Sequence, residues 1–271
     1  MIDPVVNTGW LSLHEDARIV DVRWYLDGRS GADAHAAGHI PGAVFVDLDT
    51  WLTAEPSPAE GRHPLPDPAR FAEGMRRAGI DDDTAVVAYD DTGGTSAARL
   101  VWLLRLVGRS AALLDGGLQS WRDELGTGAV EVAPGGFTEK PWPADAFVDI
   151  DDAQGATVLV DVRAAERYRG ETEPIDSRAG HIPGAINLPT TDNLDDDAHF
   201  LAPDTLKARF SGHGIHTADD VVTYCGSGVN ACHTLIAMEH AGLGRGKLYP
   251  GSWSQFSATD RPMETTPPIS G

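Results

Sequence analysis

Two residues of this chain could act as sulfur nucleophiles, Cys225 and Cys232, and their settings differ. Cys225 stands in "VVTYCGSGVNACHTL", Val221 to Leu235. The β-branched run before it reads as a strand ending at Tyr224, and a helix is expected from about Ala231 to Ala241, so residues 225 to 230 form a strand-to-helix loop. Gly226 and Gly228 permit backbone angles that turn successive N–H groups inward, and the helix start adds partial positive charge, which makes the loop a cradle for negative charge. A sulfur carrying negative charge there could attack an electrophilic sulfur, and the same N–H groups would hold the resulting persulfide. Cys232 lies seven residues on. That is two turns along the helix, too far for a disulfide with Cys225, and it reads as a small core residue. Both are expected as reduced thiols.

The elements that position the loop occur twice. "IVDVRWYLDG" at Ile19 matches "LVDVRAAERYRG" at Leu159, "GHIPGAVFVD" at Gly38 matches "GHIPGAINLP" at Gly180, "AVVAYDDTGGTSA" matches "DVVTYCGSGVNAC", and "GGLQSW" matches "GSWSQF". Four blocks in the same order mean one fold used twice. Apolar β-branched runs such as "RIVDV", "AVVAY", "TVLVDV" and "DVVTY" alternate with helical stretches such as "PARFAEGMRRAG" and "SAARLVWLLRLVG", the pattern of parallel strands buried on both faces. The predicted architecture is α/β: two tandem domains, residues 1–125 and 147–271, each a mostly parallel sheet flanked by helices. Residues 126–146, rich in Gly and Pro, read as an extended linker.

With 271 residues, 41% hydrophobic and 23% charged, the chain has the balance of a globular protein with two cores. The formal charge of −20, from 21 Lys plus Arg against 41 Asp plus Glu, repels polyanions, so neither nucleic acid nor an anionic membrane is expected as a partner. No run of about 18 apolar residues occurs and "MIDPVVNTGWL" lacks the features of a signal peptide, so a cytoplasmic protein is expected. A small anionic substrate would have to be held by a few local donors.

These motifs together resemble the rhodanese superfamily, specifically its tandem-domain sulfurtransferases, over nearly the whole chain. "CGSGVNA" is similar to the active-site loop of the 3-mercaptopyruvate sulfurtransferase branch, which usually has Thr where Asn230 stands here; "DVR", the two "GHIPGA" copies, "RYRG", "DGGLQSW" and "PGSW" are further signatures. The resemblance implies a catalytic second domain with a persulfide on Cys225, and a silent first domain, since Cys225 falls on Asp90. It implies that Arg167 binds a donor carboxylate and that Gly226, Gly228, Val229 and Asn230 complete the donor site. Arg178 is a second candidate by position only, because "ETEPIDSRAGHIPG" lacks the family's Pro-Arg pair. In that branch Ser227 and His39 would form a relay assisting C–S cleavage, with an acid from the stretch before His39; Ser30 stands at the acid's usual place, leaving Asp33. A structural reading of His39 stands beside the catalytic one, since His181 shares its "GHIPGA" context.

Relatives similar to thiosulfate sulfurtransferase place Arg and Lys directly after the cysteine, whereas Gly226 and Ser227 follow it here. A singly charged 2-oxo acid thiol therefore fits better than doubly charged thiosulfate, and the expected activity is transfer of sulfur from 3-mercaptopyruvate to cyanide or to a thiol, thioredoxin among them, without a cofactor. Thiosulfate transfer is the alternative, and a non-catalytic binding module a weaker one. A cysteine phosphatase would need Arg six residues after Cys225, where Ala231 stands. Cys225, Cys232 and His233 do not have metal-ligand spacing, so no metal site is expected.

Overall fold

The computed structural model describes residues 1–266. The chain forms two compact α/β units, each built around a parallel sheet. In the first, strands β1 (Val5–Val6), β2 (Arg18–Asp21), β3 (Val44–Phe45), β4 (Val86–Tyr89) and β5 (Ala111–Leu114) lie in the order β1-β5-β4-β2-β3, all paired in parallel. Every residue of β4 and β5 is buried, as expected of strands covered on both faces. The covering helices are α1 (Thr8–Ser12), α2 (Gly31–Ala37), α3 (Pro68–Arg77) and α4 (Ala97–Leu106). Asp67 caps α3 by accepting the Ala69 N–H at 2.8 Å, Pro68 starts it, and Arg76 and Arg77 close it where the helix dipole favours cations.

The second unit repeats the plan with β6 (Val158–Asp161), β7 (Ile186–Asn187), β8 (Val221–Tyr224) and β9 (Lys247–Leu248), ordered β7-β6-β8-β9 and again all parallel. Its helices are α5 (Ile150–Gln154), α6 (Ala165–Tyr168), α7 (Pro203–Gly212), α8 (Val229–His240) and α9 (Ser252–Phe256). Tyr224, Tyr249, Trp253 and Phe256 are fully buried in its core.

The duplication extends to side chains. Arg23 clasps Asp21 and reaches the Gly38 carbonyl at 2.7 Å, and Arg163 clasps Asp161 and reaches the Gly180 carbonyl at 2.6 Å. The Tyr89 hydroxyl accepts the Ile40 N–H, and the Tyr224 hydroxyl accepts the Ile182 N–H, both at 3.1 Å. The "DVR" and "GHIPGA" motifs thus tie a strand end to a neighbouring loop in each copy.

Two features depart from the sequence-based expectation. The units interleave: Glu55–Pro64 groups with the second unit and Asp195–Phe200 with the first. The stretch expected as an extended linker is packed onto the first unit. Phe137 is buried against Phe71 with its carbonyl accepting from Arg76 at 2.9 Å, Trp142 meets the same Phe71 edge-on, and a Cβ at Gly135 would collide with the Ile80 backbone. Its Gly and Pro residues prevent regular structure without preventing burial.

Candidate active site

Strand β8 is an interior strand of its sheet, and Cys225 is the first residue beyond its carboxyl end, where open parallel sheets place their ligands. Three bonds lock this turn to the "PGSW" segment. The Cys225 N–H donates to Ser252 Oγ at 3.2 Å, the Cys225 carbonyl accepts the Trp253 N–H at 3.0 Å, and the Gly226 carbonyl accepts the Ser254 N–H at 2.8 Å. Ser252 holds a φ of 51°, a left-handed conformation uncommon for serine, and its hydroxyl donates to the Tyr249 carbonyl at 3.0 Å.

The helix starts earlier than expected, at Val229, with Gly228 as its N-cap. Gly228 has φ 82°, and a Cβ there would lie 2.6 Å from the Pro250 carbonyl oxygen, so glycine is required on both counts. Its N–H points at the Cys225 sulfur from 3.1 Å. Gly226 has no such angle; what it provides is space. A Cβ at Gly226 would lie 3.0 Å from Arg62 Nη2 and 3.6 Å from Arg167 Nη1. The loop carries no cation of its own, yet two guanidinium groups from elsewhere stand against it: that of Arg167, a candidate from the sequence, and that of Arg62, which the sequence reading did not select.

Both guanidinium groups are anchored by buried carboxylates. Arg62 pairs through Nη1 with Asp176 Oδ1; Arg167 Nη2 meets Glu173 Oε1 at 2.6 Å and Asp176 Oδ2 at 3.3 Å. The Asp176 and Glu173 side chains are 5% and 3% exposed, against 28% and 18% for Arg62 and Arg167, so an incoming anion meets the cations and not their partners. Burial raises the Asp176 pKa, with Glu173 adding to the effect, beyond what Arg62 and Arg167 compensate. Burial acts the same way on Glu173, but hydrogen bonds from Arg167 and from the Asp176 and Ile175 N–H groups hold it below the usual carboxylate range.

Ser227 is buried, and its hydroxyl is hydrogen-bonded to His63 Nδ1 at 2.7 Å. The partner of Ser227 is therefore a histidine that the sequence reading did not select. His39 is occupied elsewhere: its Nδ1 bonds the His35 carbonyl at 2.8 Å, its ring stacks on His35, and its backbone bridges to Gly126. His181 does the equivalent with the Tyr168 carbonyl and ring and a backbone bridge to Glu264. Asp33 is exposed in the first turn of α2, where its N–H takes the Ser30 cap at 3.1 Å. Arg178 is spent on the carbonyls of Ser257, Arg261 and Phe256, which fastens the end of α9. Val229 is buried and Asn230 exposed in the first turn of α8. Cys232 is fully buried in α8 and donates to the Gly228 carbonyl at 3.4 Å; neither cysteine is in a disulfide.

Arg62 and His63 lie in "PAEGRHPLP", between the repeated blocks, where no periodicity asks for an arginine or a histidine. A polar pair in a Pro-flanked, aperiodic stretch was the available signal.

At the place equivalent to Cys225, the first unit has Asp90, fully buried, whose carboxylate accepts the N–H groups of Thr92, Gly94 and Ser96 at 2.8 Å and of Ala97 at 3.0 Å. The cradle of the first copy is filled by its own anion.

A duplicated parallel α/β unit, with a buried thiol on the strand-to-helix loop of the second copy only, defines a class of two-domain thiol proteins. A sequence profile of the rhodanese-like domain matches residues 10–124 and again 144–259, and the chain belongs to the rhodanese family. It is 44% identical to a probable 3-mercaptopyruvate sulfurtransferase of Pseudomonas aeruginosa, over 92% of this chain and 93% of that protein. It is 41% identical to a putative thiosulfate sulfurtransferase, SseB, of Mycobacterium tuberculosis, over 92% of this chain and 91% of the relative. The solved structure of 3-mercaptopyruvate sulfurtransferase from Leishmania major superposes with a TM-score of 0.86 at 29% identity, covering 96% of this chain and 75% of that one.

Proposed function

We propose that the protein is a sulfurtransferase that takes sulfur from 3-mercaptopyruvate onto Cys225 and passes it to a thiol or to cyanide. The observation that carries this is the constellation around one sulfur: the Gly228 N–H at 3.1 Å, the Ser227–His63 pair two residues on, and two guanidinium groups over Gly226. The Cys225 thiolate attacks the donor sulfur, an S–S bond forms, and the C–S bond breaks with its electron pair going to carbon. The departing pyruvate enolate takes up a proton equivalent to the one the donor thiol gives up, and Ser227 with His63 is placed to move it. The products are the Cys225 persulfide and pyruvate. Attack by an acceptor thiolate or cyanide on the outer sulfur then regenerates the Cys225 thiolate.

Arg167 and Arg62 hold the donor carboxylate in this reading, and the N–H groups of the 226–230 loop hold the transferred sulfur. The first unit is silent, since Asp90 can neither take up sulfur nor leave its cradle open. Thioredoxin is the protein thiol proposed as acceptor, in the cytoplasm; two thiols outside any disulfide fit a reducing compartment. The second reading, thiosulfate as donor, draws on the relative named as a putative thiosulfate sulfurtransferase and on the guanidinium pair. Turnover with equal concentrations of the two donors, cyanide as acceptor, tests the first: 3-mercaptopyruvate is expected to be preferred, and equal or better use of thiosulfate would replace it by the second.

A further inference from the structure

We propose that Asp176, acting through Arg62, determines which donor anion the site accepts; this rests on the sulfur-transfer reading above and names the specificity device of that site. Arg62 reaches the loop from a segment outside the repeated motifs, with its backbone N–H fixed to Ser254 Oγ at 3.1 Å. Nη1 is bound to Asp176, Nη2 faces the space left by Gly226, and the buried Nε has no partner. Asp176 divides its two oxygens between Arg62 and Arg167, so it positions both guanidinium groups while removing one unit of their charge.

The charges decide what this arrangement favours. Arg62 and Arg167 are matched by Asp176 and Glu173, and the neighbouring Arg163, at 3.3 Å from Glu173, is itself matched by Asp161 at 2.6 Å. These six side chains thus sum to zero charge, before the Cys225 thiolate is counted. One added negative charge, on a carboxylate that accepts from Arg62 Nη2 and Arg167 Nη1 over Gly226, exceeds that balance by one unit; a doubly charged donor exceeds it by two and must be desolvated against the net field of an acidic protein. Without the Asp176 charge the same two guanidinium groups would carry one net positive charge, placed for a dianion. Asp176 is a positioning residue, and Arg62 is the donor-binding group it restrains.

Steady-state kinetics with 3-mercaptopyruvate and with thiosulfate, cyanide as acceptor, on the full chain and on Asp176→Asn, Arg62→Gln and Arg62→Lys test this. Asp176→Asn is expected to raise kcat/KM for thiosulfate relative to that for 3-mercaptopyruvate about tenfold or more. Arg62→Gln is expected to raise KM for both donors about tenfold, with thiosulfate hit harder, and to leave kcat for 3-mercaptopyruvate within about threefold; Arg62→Lys recovers part of the loss. A folded Asp176→Asn protein with an unchanged donor ratio, or Arg62→Gln with both KM values unchanged, overturns the proposal. If Asp176→Asn does not fold, the Arg62→Gln result decides. Intact-mass measurement on the unmodified protein separates the two levels: no persulfide from 3-mercaptopyruvate defeats the underlying reading, whereas a persulfide with unresponsive variants defeats only the charge device.

Discussion

Ser227 Oγ and His63 Nδ1 lie 2.7 Å apart although 164 residues separate them in the chain. A buried hydroxyl bonded to an imidazole, two residues from Cys225, is suited in the proposed reaction to deliver a proton to the carbon that loses sulfur. General acid–base help of this kind is typically worth 10²–10⁴-fold. Ser227→Ala and His63→Gln should each lower kcat with 3-mercaptopyruvate by about 10- to 100-fold, and the double variant should be no worse than the poorer single, because the two act as one unit. Thiosulfate, whose sulfite leaving group needs no proton, should be affected far less. Additive losses, or equal losses with both donors, would refute the relay.

The two loop glycines should fail in different ways. Gly228→Ala forces a left-handed angle on a residue with a side chain and drives Cβ toward the Pro250 carbonyl, so unfolding free energy should fall by at least about 2 kcal/mol and the N–H at the sulfur should shift. Gly226→Ala meets only the side-chain ends of Arg62 and Arg167. Its stability should change little while the donor KM rises. Thermal unfolding alongside donor kinetics checks the pair, and a stable Gly228→Ala protein with full activity would contradict the geometry.

The paired role of His39 and His181 predicts a structural phenotype. Each gives a ring nitrogen to a carbonyl, at 2.8 and 2.7 Å, so alanine at either position should cost about 1–3 kcal/mol of stability through the lost bond and the unsatisfied carbonyl. For His39→Ala, the folded fraction should keep kcat/KM within about threefold. A loss of 100-fold or more in well-folded His39→Ala would return His39 to the catalytic relay.

What was legible beforehand was local or repeated. Strand β8, the cysteine after it and the helices α3 and α4 announce themselves by apolar runs, caps and helical periodicity, and the duplication shows in matched motifs. Gly226 reads in the sequence as a turn residue like Gly228, because a glycine that leaves space and one that takes a positive φ look alike there. Arg62 and His63 were not legible because their partners, Asp176 and Ser227, are set by the path of an aperiodic segment. His39 draws attention for the opposite reason: it lies in a motif that recurs, and His39 and His181 make the same kind of carbonyl bond in the two copies.

The claim that Cys225 carries the transferred sulfur is tested most directly by intact-mass spectrometry after exposure to 3-mercaptopyruvate without acceptor. The unmodified protein and a Cys232→Ser variant should each gain the mass of one sulfur and lose it on addition of cyanide, while Cys225→Ser gains nothing and has no turnover. A sulfur adduct on the Cys225→Ser protein, or substantial turnover by it, would contradict the account.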